Sequence, residues 1–315
     1  MTYDFRDSIS NFSPIIIFCY RRKIDPLIIS LLRNREASES DLFIFSDNYK
    51  SDIDKKDVIE VRKSLKRIKG FKSITIHEAN YNKGLAESII GGVTLIIKRF
   101  KKAIILEDDL VISKHFLNYM NKSLFHFEER DDIWSISGYG PPLLFPKNQK
   151  SELYLSLRSS SWGWATWLNR WEKANWSIND FLNLKTNKSL IQRFEEGGSD
   201  LYKMLELQYM RKIDSWAIRW CYSQFLNNAF SVTPCKSMTR HDGFGDKVGT
   251  HNIRRQKRWD VQLDDNEIKN FDVIYDEEIV KKFKEHHDLR LTNRLSYLLR
   301  KYDLYDIVYK LIKSR

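Results

Sequence analysis

The stretch Lys102-Ala103-Ile104-Ile105-Leu106-Glu107-Asp108-Asp109-Leu110-Val111 joins a short apolar run to three consecutive carboxylates and then to a second apolar pair. Ala, Ile, Ile and Leu without polar alternation suit a strand buried on both faces of a parallel sheet, and the C-terminal ends of such strands are where open α/β sheets place ligands. Adjacent carboxylates repel one another, and their natural partner is a divalent cation that prefers oxygen ligands. An isolated Glu-Asp-Asp equally suits a solvated acidic turn, so the surrounding pattern has to decide.

Upstream, Pro14 to Tyr20 reads as a first strand and Ile24 to Arg33, apolar at helical spacing, as the helix after it. Asp41 to Asp47 reads as a second strand, Lys55 to Ile68 as a helix, Ser73 to His77 as a third strand, and Gly84 to Phe100 as a long helix entering the carboxylate strand. This alternation predicts a parallel sheet built from right-handed crossovers, an α/β fold. Downstream, Ile133 to Ser137 reads as a strand, followed by a Gly-Tyr-Gly-Pro-Pro loop. The Trp-dense segment Ser159 to Trp167 suits either a core corner or a platform under a flat ligand such as a sugar ring.

The chain has 315 residues, enough for one large domain or two smaller ones, and its 42% hydrophobic content with nine Trp excludes a disordered or fibrous class. Three Cys, at 19, 221 and 235, form neither a disulfide framework nor a spaced zinc site, which points to a reducing compartment. The apolar run Ile15 to Cys19 is too short for a signal or spanning helix, so a cytoplasmic, non-spanning protein is expected. A net charge of +11 suits nucleic acid, anionic lipid or a phosphate-bearing substrate. Zinc-finger spacing, RNP-like aromatics and a basic arm are all missing, so nucleic acid is not an expected partner. From Asp264 the chain is strongly charged. Leu291, Leu295, Leu298, Leu299, Tyr302, Ile307, Val308, Leu311 and Ile312 then recur at helical spacing among Arg and Lys, a basic amphipathic tail that either packs on the preceding domain or lies on an anionic membrane.

Several segments resemble, in order, the inverting glycosyltransferases of the N-acetylglucosaminyltransferase I type, a family with the GT-A fold. Phe18-Cys19-Tyr20-Arg21 resembles its Cys-Asn-Arg, Phe45-Ser46-Asp47 its Ser-x-Asp, and Leu106-Glu107-Asp108-Asp109-Leu110 its Glu-Asp-Asp-Leu metal motif. Ile133-Trp134-Ser135-Ile136-Ser137 is similar to the strand that follows, and Trp162-Gly163-Trp164 with Trp167 and Trp171 to its Gly-Trp segment. Asp214-Ser215-Trp216-Ala217-Ile218-Arg219 resembles its Asp-x-Trp-x-Arg, and Met238-Thr239-Arg240 with Gly243-Phe244-Gly245 its Ser-Arg-Thr and Phe-Gly stretch. The likeness spans 14 to about 252 and departs from the family at Tyr20, which replaces Asn, in one extra residue before Arg219, and in the spacing after Phe244.

The resemblance implies a GT-A (Rossmann-like), mostly parallel sheet flanked by helices, with a helical C-terminal extension. Residues 1–263 are expected to form the catalytic domain, with a donor half over about 14–112 and an acceptor half over about 113–263, and 264–315 the basic extension. It implies Asp109 as the direct ligand of Mn²⁺ or Mg²⁺, with Glu107 and Asp108 reaching the metal through water or the donor sugar and ribose. Cys19, Tyr20, Arg21, Asp47, Asn82 and Arg240 are the expected donor contacts, and Trp162, Gly163, Trp164 and Trp216 the acceptor pocket. The fork of Arg21 matches phosphate oxygens but also suits a surface salt bridge, and Asp47 suits a base N–H or a plain turn. Asp214, among apolar neighbours, is the implied general base, or else a helix N-cap.

Arg240, His241 and His251 flank a Gly-punctuated loop, 242–249, that could close over the diphosphate, and either His could reach the metal or be structural. The activity implied is metal-dependent, inverting transfer of a sugar from a nucleotide diphosphate donor, with a UDP-sugar expected, to a glycan or lipid-linked saccharide in surface polysaccharide synthesis. The alternatives are a sugar nucleotidyltransferase, which expects a Gly-rich loop where Tyr20-Arg21-Arg22-Lys23 stands, and a non-catalytic carbohydrate-binding protein.

Overall fold

The computed structural model describes residues 12–145, 149, 151–242, 257–273, 275–289, 291–305 and 308. Strands and helices alternate through the first third: β1 (Ile15–Cys19), α1 (Asp25–Leu32), β2 (Asp41–Ser46), α2 (Asp52–Leu65), β3 (Ser73–Glu78), α3 (Leu85–Phe100) and β4 (Lys102–Glu107). Pro26 sits in the first turn of α1, where its missing N–H has no helical partner to lose. α3 buries Ala86, Ile89, Val93, Ile96 and Ile97, one face of a helix, against the sheet. All the expected elements of this region form, with ends shifted by up to three residues.

Then follow β5 (Leu110–Ile112), α4 (Phe116–His126), β6 (Ile133–Ser137), β7 (Leu153–Ser156), β8 (Trp164–Trp167), α5 (Leu168–Trp171), α6 (Phe181–Thr186), α7 (Lys188–Phe194), α8 (Leu201–Tyr209), α9 (Trp216–Leu226), β9 (Phe230–Pro234), β10 (Thr239–His241), α10 (Glu277–His287) and α11 (Leu291–Lys301). Eight strands form one sheet in the order β3-β2-β1-β4-β8-β6-β9-β7, and β5 pairs with β10 in a separate ribbon. Four of the seven contacts in the large sheet are parallel: β3 with β2, β2 with β1, β1 with β4, and β6 with β9. The protein is an α/β, Rossmann-like fold.

Both faces of the sheet are covered. Ile15, Ile17, Ile44 and Leu106 pack with α1, α2 and α4 on one side, while Ile16, Phe18, Phe43 and Ile105 pack with α3, α5 and α9 on the other. The strand order runs outward from β1 in both directions, to β2 on one side and β4 on the other, so the chain switches sheet face between α2 and α3. That switch opens a crevice beyond the ends of β1 and β4, the position where doubly wound sheets bind ligands. In the register Phe18 faces Glu107, so the carboxylate run emerges into this crevice. Within the Trp-rich segment, Trp164–Trp167 is the antiparallel strand β8, wedged between β4 and β6.

Behind the sheet, Arg170 is 2% exposed and lies 4.6 Å from the centroid of the Trp167 ring. Its guanidinium donates to the carbonyls of Glu128 (2.7 Å), Arg130 (2.9 Å) and Ile133 (3.2 Å), fastening the turn between α4 and β6. α10 lays Ile279 and Phe283 against Tyr154 of β7. Its last residue, His287, is buried, and that burial, with the nearby charge of Arg158, pushes the imidazole well below its usual pKa.

Arg170→Ala orphans several buried carbonyls together and is expected to lower the unfolding free energy by about 3 kcal/mol, read from the urea midpoint; a change under about 1 kcal/mol would contradict the fastening role. For His287, the unfolded chain binds a proton near the ordinary imidazole value of 6.5, while in the folded chain the proton binds only at lower pH. Stability is therefore full above that pH and falls as pH drops through it towards the lower folded value. His287→Gln should remove this part of the slope between pH 7 and 5, and identical slopes in the two proteins would refute the assignment.

Candidate functional site

Asp108 and Asp109 form the turn between β4 and β5, so the chain folds back immediately after the carboxylates. The β5–β10 ribbon pairs Leu110 with His241, which sets His241 Nε2 2.9 Å from Asp109 Oδ2. From the other side, the loop after β1 contributes the Tyr20 N–H, which donates to Asp108 Oδ2 at 3.1 Å. The same loop supplies Arg22, whose Nη1 lies 3.3 Å from Asp108 Oδ1 and 3.2 Å from Asp109 Oδ2. Among the described residues, one guanidinium and one imidazole thus pair with Asp108 and Asp109 at the end of the carboxylate run.

The electrostatic consequences follow from that arrangement. Burial, reinforced by the charges of Asp109 and Asp108, pushes Glu107 well above the carboxylate range. Burial and the charge of Asp109 push Asp108 up to about 7, against the pull of Arg22. Burial acts on Asp109 in the same direction, but its hydrogen bond from His241 and the charges of His241 and Arg22 outweigh it and hold this carboxylate low. The cluster opens on a cleft of about 640 Å³ lined by Arg21, Arg22, Lys23, Asp57, Glu60, Asp108, Asp109 and Asp242.

A hard divalent cation fits this chemistry: Asp109 Oδ2 and His241 Nε2 converge within 2.9 Å at the cleft wall beside two carboxylates that are short of positive charge. Among the described residues no group of three or more His, Cys, Asp or Glu side chains is arranged to hold an ion.

The expected donor contacts divide. Tyr20 lies at the cluster, its hydroxyl donating to Asp54 at 2.8 Å, and Arg21 lines the cleft with Nη1 2.8 Å from Asp54 Oδ1. The Tyr20 hydroxyl, followed by the Arg21 charge, holds the Asp54 carboxyl low. Arg22, not singled out from sequence, makes the ion pairs with the motif. Arg240 points along the rim, with Nε 2.8 Å from Asp242 Oδ1.

Two of the expected donor contacts, Cys19 and Asp47, need correction. The Cys19 side chain is buried in the core beneath the site, and burial pushes its thiol up, so it cannot contact a donor. Asp47 accepts from the amides of Asn48 (2.8 Å), Lys83 (2.9 Å) and Gly84 (2.9 Å) and from Asn82 Nδ2 (3.2 Å). These four donors fill the lone-pair positions of its carboxylate. Asp47 and Asn82 therefore shape the turn into α3, and the Asp47 carboxylate keeps no lone pair for a base N–H.

The acceptor residues divide in the same way. Trp162 is half-buried at the site, 5.1 Å from the His241 ring and 4.5 Å from Tyr139. Gly163 is buried, with φ +74°, and an added Cβ would sit 2.8 Å from Thr239 Cγ2; it sets the direction of Trp162. Trp164 and Trp216, 1% and 3% exposed, stack at 5.1 Å inside a core cluster with Trp134, Trp171, Trp176 and Trp220. These two form no platform, because their faces are covered by other rings. Asp214, expected in an apolar seat, has a side chain 69% exposed and pairs with Arg219 at 2.8 Å; Ser215 caps α9 in its place. His251 and residues 243–249 lie outside the described residues.

No protein-family model and no curated protein matches the chain. Among solved structures, the mannosyltransferase PcManGT from Pyrobaculum calidifontis, in complex with GDP-Man and Mn²⁺, is similar at a TM-score of 0.34 and 7% identity, over 51% of this chain and 46% of that one. The match thus spans under half the length of that protein, and the site described above stands on its own geometry.

The crowded carboxylates predict a trade between stability and function. Because the folded pKa of Asp108 is raised, its penalty on stability is absent below the ordinary 3.8, grows with pH, and is complete above about 7. Asp108→Asn should raise stability in metal-free buffer by about 1 kcal/mol at pH 8 and by less at pH 5. A loss of stability at pH 8 would show that the Arg22 pair outweighs the repulsion.

Proposed function

We propose that the protein is a metal-dependent, inverting glycosyltransferase that moves a sugar from a nucleotide diphosphate donor, with UDP as the expected nucleotide, to a glycan or lipid-linked saccharide in surface polysaccharide synthesis. The observation that carries this reading is the partly charge-compensated carboxylate cluster at the switch point of the sheet, opening on a cleft walled by Arg21, Arg22 and Lys23. Carboxylates and cations side by side are what a metal-bound diphosphate needs: oxygens for the metal and forks for the phosphates. Residues 1–263 form the catalytic domain in this reading, with the donor half ahead of residue 112, and 264–315 form an extension.

A bound Mn²⁺ or Mg²⁺ would be held by Asp109 with His241 beside it, and would neutralise the charge that develops on the departing diphosphate. Arg22, paired to Asp108 and Asp109, would be able to turn its guanidinium to the diphosphate oxygens if a bound cation balanced those carboxylates. Arg21 and Lys23 line the same wall and bind the diphosphate oxygens. Trp162, beside His241, offers its half-buried ring to the sugar. Asp214 takes the proton from the acceptor hydroxyl as that oxygen attacks the anomeric carbon from the face opposite the leaving diphosphate. Its exposure keeps it accessible to a large acceptor, and its pairing with Arg219 fixes its direction.

The test is thermal stabilisation by a panel of nucleoside diphosphates and nucleotide sugars, each with and without Mn²⁺. One nucleotide should shift the melting temperature only with metal present, and Asp109→Ala should abolish that shift. Asp214→Asn should keep the shift while turnover falls by about 10²–10⁴. No shift with any pair would replace this reading with metal-independent glycan binding, and near-normal turnover in Asp214→Asn would remove the base.

A further inference from the structure

α11 is turned the wrong way round for a helix that only packs. Tyr297 and Lys301, one turn apart, both reach Glu206 of α8, a carboxylate only 4% exposed: the Tyr297 hydroxyl donates to Oε2, and Lys301 Nζ lies 2.8 Å from the same oxygen. Just beyond the helix, Asp303 pairs with Lys212. It is therefore the polar side of α11 that faces the protein. Leu295, Leu298 and Tyr302, spaced i, i+3 and i+7, form one stripe on the other side and are 58%, 46% and 65% exposed. A surface helix ordinarily turns that stripe to the core.

Exposed Arg294 stands one turn from Leu298, on the edge of the stripe. Residues 289–315 carry seven Lys and Arg against two Asp, within a chain of net charge +11. Apolar side chains beside excess positive charge complement an acidic lipid surface. A protein partner fits less well, because three side chains offer on the order of a few hundred Å² where a stable interface needs more than about 1,000 Å². We propose that α11 docks the protein on an anionic membrane, with Leu295, Leu298 and Tyr302 entering the headgroup boundary and Arg294 pairing with lipid phosphates. This surface is separate from the carboxylate cleft and does not rest on the glycosyltransferase reading.

The experiment is co-sedimentation of the full chain with vesicles of phosphatidylglycerol and phosphatidylcholine in equal parts, and with phosphatidylcholine alone. The protein should bind the mixed vesicles, release them as salt is added, and bind phosphatidylcholine alone far more weakly. Leu295→Glu combined with Leu298→Glu should weaken binding at least about tenfold. Arg294→Ala should weaken it about fivefold, the equivalent of ~1 kcal/mol, with the melting temperature unchanged because the side chain is exposed. Failure to bind the mixed vesicles, or equal binding by the wild type and both variants, overturns the proposal. A wild-type dimer in light scattering that the double variant dissociates overturns it in favour of a second copy of the chain.

Discussion

Three carboxylates at consecutive positions on the end of a buried strand cannot be left to repel one another in a poorly solvated crevice, and the architecture around β4 answers that constraint. β1 is the only parallel neighbour of β4 among the described residues, and the loop that leaves it carries Arg22 into both Asp108 and Asp109. On the far side the chain reverses at once into β5, and the pairing of β5 with β10 delivers His241 from more than a hundred residues away. The compensation is incomplete, as the raised Glu107 and Asp108 attest. A structure selected for stability alone would have neutral residues here, so the residual charge points to a ligand.

The first four strands were legible because each signal was local. Apolar runs without alternation mark β1, β2 and β4, the apolar-polar alternation of Ser73 to His77 marks the edge strand β3, and the 3.6-residue period between them marks the covering helices. The location of the site was legible for the same reason, since parallel sheets put ligands at strand C-termini and the carboxylates stood at one. The second half was not, because its order in space departs from its order in sequence. Trp164–Trp167 adds itself antiparallel between β4 and β6, and no local period reveals which strand a new one will pair with.

Side-chain direction was the harder matter, and most corrections come from it. Along a strand one residue decides which face a side chain takes, so Cys19 points into the core while its neighbour Tyr20 reaches the site. Arg21 and Arg22 are indistinguishable in sequence, but the turn after β1 sends one to Asp54 and the other to the motif carboxylates. Asp47 follows the end of β2, and nearby amides, not a ligand, claim its oxygens. The Trp segment behaved as composition allows for aromatics in general: one ring, Trp162, stays at the site and Trp164 goes to the core.

The outward stripe on α11 raises the question of why the helix does not roll over and bury it. Rolling would bury Leu295 and Leu298, worth at most about 1.5–3 kcal/mol each if fully enclosed. It would also strip Glu206 of Lys301 and the Tyr297 hydroxyl, leaving a carboxylate 4% exposed without its cation. Breaking a buried pair in that way costs about 3–5 kcal/mol, and the leucine figure is an upper bound that partial burial does not reach. The two terms are close, and the polar anchor tips the balance towards the outward-facing stripe. The residue that decides the orientation is thus a buried glutamate on α8, not any residue of the apolar stripe itself.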